Sequence, residues 1–201
     1  MKLTRLISIV LHPVLMPLIA IEITLKYASY SVFAISEYLE SIKIIIALCT
    51  LVIPGIIMLL LIKINKITSL EMSDHKERPL PLIISASLLL IGYISILPIL
   101  NFSPFLKGEL VGIAITILIA SIISRYWKIS LHMLAIGGVF GVLIGINILI
   151  TNVTQVIIPV LLIASILGVS RVEEKAHNYT QIYTGFLIGT TVELSSILML
   201  Y

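Results

Sequence analysis

Long apolar runs separated by short polar turns set the pattern of this chain. A helix crossing the hydrocarbon of a bilayer needs about 20 largely apolar residues. On that measure the sequence predicts spans at Leu6–Tyr27, Ile42–Ile64, Leu80–Leu100, Leu110–Tyr126, Leu131–Ile150, Val156–Val169 and Ile182–Tyr201. The fourth and sixth are short, so the expectation is a polytopic, all-α transmembrane bundle of six to seven spans. Closed barrels also satisfy the backbone in lipid, but their strands alternate apolar and polar positions. The runs here do not alternate, and helices follow.

Asn101 to Pro104 and Thr151-Asn152 mark tight turns between neighbouring spans. Pro54-Gly55 falls inside the second span and predicts a kink there. Gly137, Gly141 and Gly145 recur at every fourth position, as do Gly185 and Gly189. Small residues at that spacing let helix backbones approach closely, so these two stripes are expected to be packing surfaces. No linker or break in composition divides the chain, and residues 1–201 are expected to form one domain.

Three polar stretches remain: Glu71 to Pro79, Arg125 to His132, and Ser170 to Gln181. Two spans separate the first from the second, and two more separate the second from the third. An even number of crossings returns the chain to the same face, so all three are expected at one end of the bundle, together with the N-terminus. Lys2, Arg5, Lys63, Lys66, Lys76, Arg78, Arg125, Lys128, Arg171 and Lys175 fall at that end; Lys26, Lys43 and Lys107 fall at the other. The positive-inside rule would make the cation-rich face cytoplasmic. Cations held by a binding site weaken that inference, and the orientation stays open.

The composition excludes several classes. Residues are 59% hydrophobic and 11% charged, against about 25% charged in soluble domains; an integral membrane protein is expected. The net charge of +3 is spread among loops, with no basic block that suggests nucleic acid. Cys49 is the single cysteine and cannot supply an internal disulfide or a cysteine zinc site. MKLTRLISIV has the basic start of a signal peptide, yet the apolar run continues past Pro13 and Pro17 without a prompt cleavage site. A first span that is retained is the favoured reading.

The polar stretches carry the candidate chemistry. Lys76 and Arg78 precede Pro79, Lys128, Ser130 and His132 stand at the entry to a helix, and Ser170, Arg171 and His177 close the set. Gln181 shares a helical face with His177, because side chains at i and i+4 are neighbours. A phosphate dianion calls for several fixed cationic donors, and arginine binds it bidentately. Two histidines complete a reaction set, one attacking phosphorus and the other protonating the leaving oxygen. This arrangement requires no metal and no cofactor. The plainer alternative is an interfacial loop whose cations face lipid headgroups.

From Glu71 to Gly189 the chain resembles the membrane-bound type-2 phosphatidic acid phosphatase superfamily, whose signatures are K-x6-RP, PSGH and SR-x5-H-x3-D. Arg78-Pro79 matches the first, Ser130 and His132 the second, and Ser170, Arg171 and His177 the third. The opening LHPVLMPL is similar to divergent members from Bacteroidetes-type bacteria, which implies a bacterial inner membrane. The resemblance implies a lipid phosphate phosphatase in which His177 forms a phosphohistidine and His132 acts as acid on the leaving group. It implies that Arg78 and Arg171 hold the phosphoryl oxygens, with Lys76, Lys128, Ser130 and Ser170 also at the substrate. The expected partners are membrane lipids and a phosphorylated lipid substrate: a phosphatidate-like lipid, phosphatidylglycerol phosphate, a polyprenyl diphosphate or phosphorylated lipid A.

Four positions depart from the pattern. Glu71 stands where the family has lysine, Ile129 and Leu131 replace the proline and glycine of PSGH, and Gln181 replaces the aspartate. A glutamine carbonyl accepts a hydrogen bond from imidazole but does not offset an imidazolium charge as a carboxylate does. Loss of catalysis, leaving a protein of the same fold that binds or moves an anionic lipid, is therefore the alternative.

Glu22 and Glu193 lie within apolar spans, where an ionised side chain costs about 2.5–3.5 kcal/mol on insertion scales. Glu22 is near the end of its span and is expected to reach the interface. Glu193 lies deeper and calls for a partner that the sequence does not identify. His12, before Pro13, is expected to border the polar end.

Overall fold

The structure of the chain is a computed structural model that describes residues 3–201; Lys2 lies outside the described residues. Helices and turns account for the fold, with no strand among the described residues. Seven segments are long and apolar enough to cross a membrane: Leu3–Tyr27, Ser29–Lys63, His75–Leu100, Pro104–Ser124, Leu131–Leu149, Thr154–Glu173 and Tyr179–Leu200. The chain is an all-α integral membrane protein, and these segments are numbered first to seventh below.

Several boundaries differ from those expected, each for a local reason. The fourth span starts at Pro104 rather than Leu110, because proline suits a first helical turn. Hydropathy passed over Lys107 and Glu109. In the fold Lys107 Nζ donates to Asn101 Oδ1 at 3.0 Å, and Glu109 is buried. The seventh span starts at Tyr179 rather than Ile182, because its polar first turn is a cap. Asn178 and Gln181 form a reciprocal capping box. The first span is interrupted at His12-Pro13 between helices Leu3–Val10 and Met16–Tyr27. The expected distortion of the second span is a π-helical turn at Leu48–Val52, just ahead of Pro54, whose missing N–H takes one bond out of the helical ladder.

The two glycine stripes do meet. The seventh span packs along the fifth more extensively than any other pair of elements. A Cβ at Gly189 would collide with the Leu134 carbonyl, and one at Gly137 with the Phe186 carbonyl. One at Gly141 would lie 2.8 Å from the Thr190 carbonyl oxygen, and one at Gly185 the same distance from that of Ser130. Thr190 Oγ1 then donates to the Gly137 carbonyl at 3.0 Å. On its other side the seventh span meets the fourth, where a Cβ at Gly108 would lie 2.8 Å from Ile197 Cα. The seventh span is thus clamped between the fifth and the fourth. Phe105, Val142, Leu143, Ile146 and Ile197 form the apolar core on that side, and Ile35, Ile42, Leu89, Leu100 and Leu110 form another among the second, third and fourth spans.

The three polar stretches converge at one end, with the start of the first span. Arg78 Nη1 donates to the Ile129 carbonyl at 2.9 Å, joining the first stretch to the second. The Ser130 N–H donates to the Gln181 carbonyl at 3.4 Å, joining the second to the third. Ser8 Oγ donates to Glu174 Oε2 at 3.2 Å, and Arg5 lies 3.7 Å from Glu71. At the opposite end the exposed Glu22 carboxylate reaches Lys43 at 3.7 Å, as its place near a span terminus suggested.

Gly189→Val is expected to destabilise the bundle by about 1–3 kcal/mol or more, through backbone displacement at an overpacked contact. Gly55→Ala, whose Cβ meets nothing within 4 Å, is expected to be neutral or slightly stabilising. Thermal unfolding of both variants in detergent checks this pair.

Candidate functional site: a cationic cavity at the polar end

Helix entry and exit points place the candidate side chains. Arg78 ends the short 3-10 turn His75–Glu77 and immediately precedes the helix that begins at Pro79. It is only 4% exposed. Its Nε donates to the Met72 carbonyl at 3.0 Å and its Nη1 to Ile129. It makes no ion pair with a carboxylate among the described residues. Lys128 lies in the turn before the fifth span, and burial together with Arg78 and Arg171 lowers its pKa from the usual lysine range. Arg171 stands in the last turn of the sixth span and pairs with Glu174 Oε2 at 2.5 Å. Its Nε is buried and has no partner.

His177 sits in the loop before the seventh span and is 8% exposed. Its Nδ1 lies 3.0 Å from Gln181 Oε1. The same oxygen accepts from the Asn178 N–H at 3.2 Å, which identifies it as the carbonyl end of the amide. Nδ1 must then carry the proton, and Nε2 keeps its lone pair. Burial first, then Arg78, Arg171 and Lys128, hold the imidazole pKa down at about 4, against an opposing contribution from the Gln181 hydrogen bond. His177 is therefore a neutral imidazole near pH 7, with the electronic form of a nucleophile. His132, on the first turn of the fifth span, has Nε2 3.0 Å from the Ser8 carbonyl. An acceptor there fixes the proton on Nε2. Its ring meets that of His12 edge to face at 5.6 Å.

Arg78, Lys128, His132, Arg171 and His177 line one cavity of about 1360 Å³. The spans supply apolar wall from Ile9, Met58, Leu82, Ile117 and Val139. The result is a cationic end joined to a hydrophobic chamber, a shape that suits an anionic head on an apolar tail.

Other expected site residues lie elsewhere. Lys76 is exposed and off the cavity wall; Asp74 caps its turn by accepting the Lys76 N–H at 2.9 Å. Ser130 and Ser170 are buried but do not line the cavity. The Ser170 hydroxyl is spent on the Ile166 carbonyl at 2.9 Å, whereas the Ser130 hydroxyl has no partner. Gln181 is absent from the wall and touches the site only through its hydrogen bond to His177. Glu71 does line the cavity, its carboxylate turned toward Arg5, so the lysine it replaces in the resembled pattern has no counterpart at that position.

Glu174 and Ser8 are site residues that sequence reasoning missed. The i, i+3 spacing of Arg171 and Glu174 was the available signal for one; nothing local marked Ser8. Among the described residues no three His, Cys, Asp or Glu side chains gather as metal ligands would. Comparison of the chain with protein-family models, with curated proteins and with solved structures finds no match.

Two outcomes follow. Because the folded pKa of His177 lies below the ordinary 6.5, the unfolded chain takes up that proton first. Its contribution to stability is present above pH 6.5 and is lost as pH falls toward 4. His177→Gln should reduce the fall in thermal midpoint across that window. Glu174→Gln removes the carboxylate that competes for Arg171 and should tighten binding of inorganic phosphate several-fold, as read by calorimetry.

Proposed function

We propose that the chain is a phosphohydrolase of lipid phosphates or diphosphates, working through a phosphohistidine on His177. The observation that carries this reading is Arg78: a buried guanidinium facing the cavity with two carbonyl partners and no carboxylate. A bound phosphoryl group would supply the missing anion. Lys128 and the unpartnered Nε of Arg171 would add donors, and the apolar chamber would take the tail.

In this mechanism His177 Nε2 attacks phosphorus, and the P–N bond forms as the P–O bond to the lipid alcohol breaks. Gln181 holds Nδ1–H and thereby presents Nε2. Charge gathering on the phosphoryl oxygens is met by the three cations. The leaving oxygen takes a proton from His132, which must first gain one at Nδ1, since a neutral imidazole is a poor acid. Water then attacks the phosphohistidine, its proton returns to His132, and inorganic phosphate leaves. The resemblance to divergent bacterial members supports a bacterial inner membrane as its location.

A second reading is favoured by two particular contacts. His132 Nε2 is engaged by the Ser8 main chain, and His177 leans on an amide instead of a carboxylate. Both suit a protein that holds or moves an anionic lipid without turnover.

Phosphate release from short-chain phosphatidate and from a polyprenyl diphosphate in mixed micelles separates the two. The phosphohydrolase reading expects release by the wild type, none by His177→Ala, and a loss of about 10²–10⁴-fold in His132→Ala. Equal release from wild type and His177→Ala would remove His177 from the chemistry. Saturable binding without release, with turnover appearing only in Gln181→Asp, would establish the second reading.

A further inference from the structure

Deep in the bundle, away from the cationic end, two carboxylates lie on facing helices. Glu109 on the fourth span is 0% exposed and Glu193 on the seventh is 1% exposed. The Glu193 carboxylate lies over Gly112: a Cβ built there would stand 2.7 Å from Oε2 and 2.9 Å from Oε1. Glu109 is one turn from Gly112 on the same face of the fourth span, the face that packs on the seventh span through Gly108 and Gly112. Glu109 Oε2 accepts from Thr24 Oγ1 at 2.6 Å. Glu109 Oε1, Glu193 Oε1 and the Thr116 hydroxyl are all buried without a partner. Glu193 and Thr116 also line the cavity. The room beside Glu193 is made by Gly112 and by Gly138 and Gly141 of the fifth span.

We infer that Glu193 and Glu109 form a binding site for a monovalent cation, a proton or a sodium ion, that exchanges with water through the cavity. Three buried oxygens lack a partner, two of them on the cavity-lining Glu193 and Thr116, and no lysine, arginine or histidine pairs with either carboxylate among the described residues. Two ionised carboxylates side by side in a low-dielectric bundle repel each other and have lost their hydration. A proton bound by one carboxyl, or a sodium ion among carboxylate and hydroxyl oxygens, removes both penalties. The fourth span contributes Glu109 as the titratable neighbour of Glu193, and the fifth presents glycine. The charged and titratable groups Arg78, Lys128, Arg171, His12, His132 and His177 line the same cavity at its polar end. The proposal stands on these buried carboxylates and holds whether or not His177 attacks phosphorus.

Labelling with a hydrophobic carbodiimide, which modifies protonated carboxyls, tests it on the full-length chain in detergent, read by peptide mass spectrometry across a pH series. Glu193 should be modified, with a sigmoidal decline as pH rises. In Glu109→Gln the midpoint should fall by about one pH unit or more, a tenfold loss of proton affinity. Protection by sodium chloride but not by choline chloride at equal ionic strength assigns sodium; equal labelling in both salts assigns the proton. An unlabelled Glu193 at every pH would overturn the proposal. So would labelling that ignores both pH and sodium, or a midpoint unchanged in folded Glu109→Gln. Should that variant fail to fold, the pH and sodium dependence of the wild type decides.

Discussion

A guanidinium taken out of water inside an apolar bundle must be surrounded by acceptors or by an anion. Arg78 is in that position, and much of the polar end is arranged to meet its demand. The Met72 carbonyl is turned toward it by a loop in which Met72 itself has positive φ. The Ile129 carbonyl comes from the turn ahead of the fifth span. The same guanidinium therefore sews two distant stretches of chain together and leaves a positive charge facing the cavity. Two neutral carbonyls partner a cation only in part, and the remaining attraction is available to a ligand.

The apolar helices make this possible by fixing where the loops emerge. Glycine contacts between the fifth and seventh spans set the height of Ser130 against Gln181. That registration brings His132, on the first turn of the fifth span, and His177, in the loop before the seventh, to one wall. Glu174 and Ser8 then tie the start of the first span to the end of the sixth. The electrostatics follow from the burial. Burial first, and the crowded cations after it, keep His177 neutral, and the Gln181 amide decides which of its nitrogens carries the proton.

The helices, the even crossings and the gathering of three polar stretches at one end were legible in the chain, because hydropathy reports directly on membrane crossing. The glycine stripes were legible for the same reason, their period matching the helix. What escaped was chemistry carried by single polar residues inside apolar runs. Glu109 stayed outside the expected fourth span because the Lys107-Gly108-Glu109 step looks like loop, although Thr24 from another span bonds it. Lys76 and Arg78 were both expected at the substrate. A 3-10 turn capped by Asp74 sends one outward and the other inward, and no periodicity distinguishes them. Glu174 passed unremarked until the fold placed it on Arg171.

The central claim is that Arg78 and its cationic neighbours form one seat for an anionic headgroup. Native mass spectrometry of the purified protein with equimolar short-chain phosphatidate and phosphatidylcholine of the same tail measures this directly, comparing wild type with Arg78→Gln. The account predicts preferential retention of the phosphate monoester by the wild type and loss of that preference in the variant. Equal retention of both lipids by the wild type, or an unchanged preference in a folded Arg78→Gln protein, would contradict it.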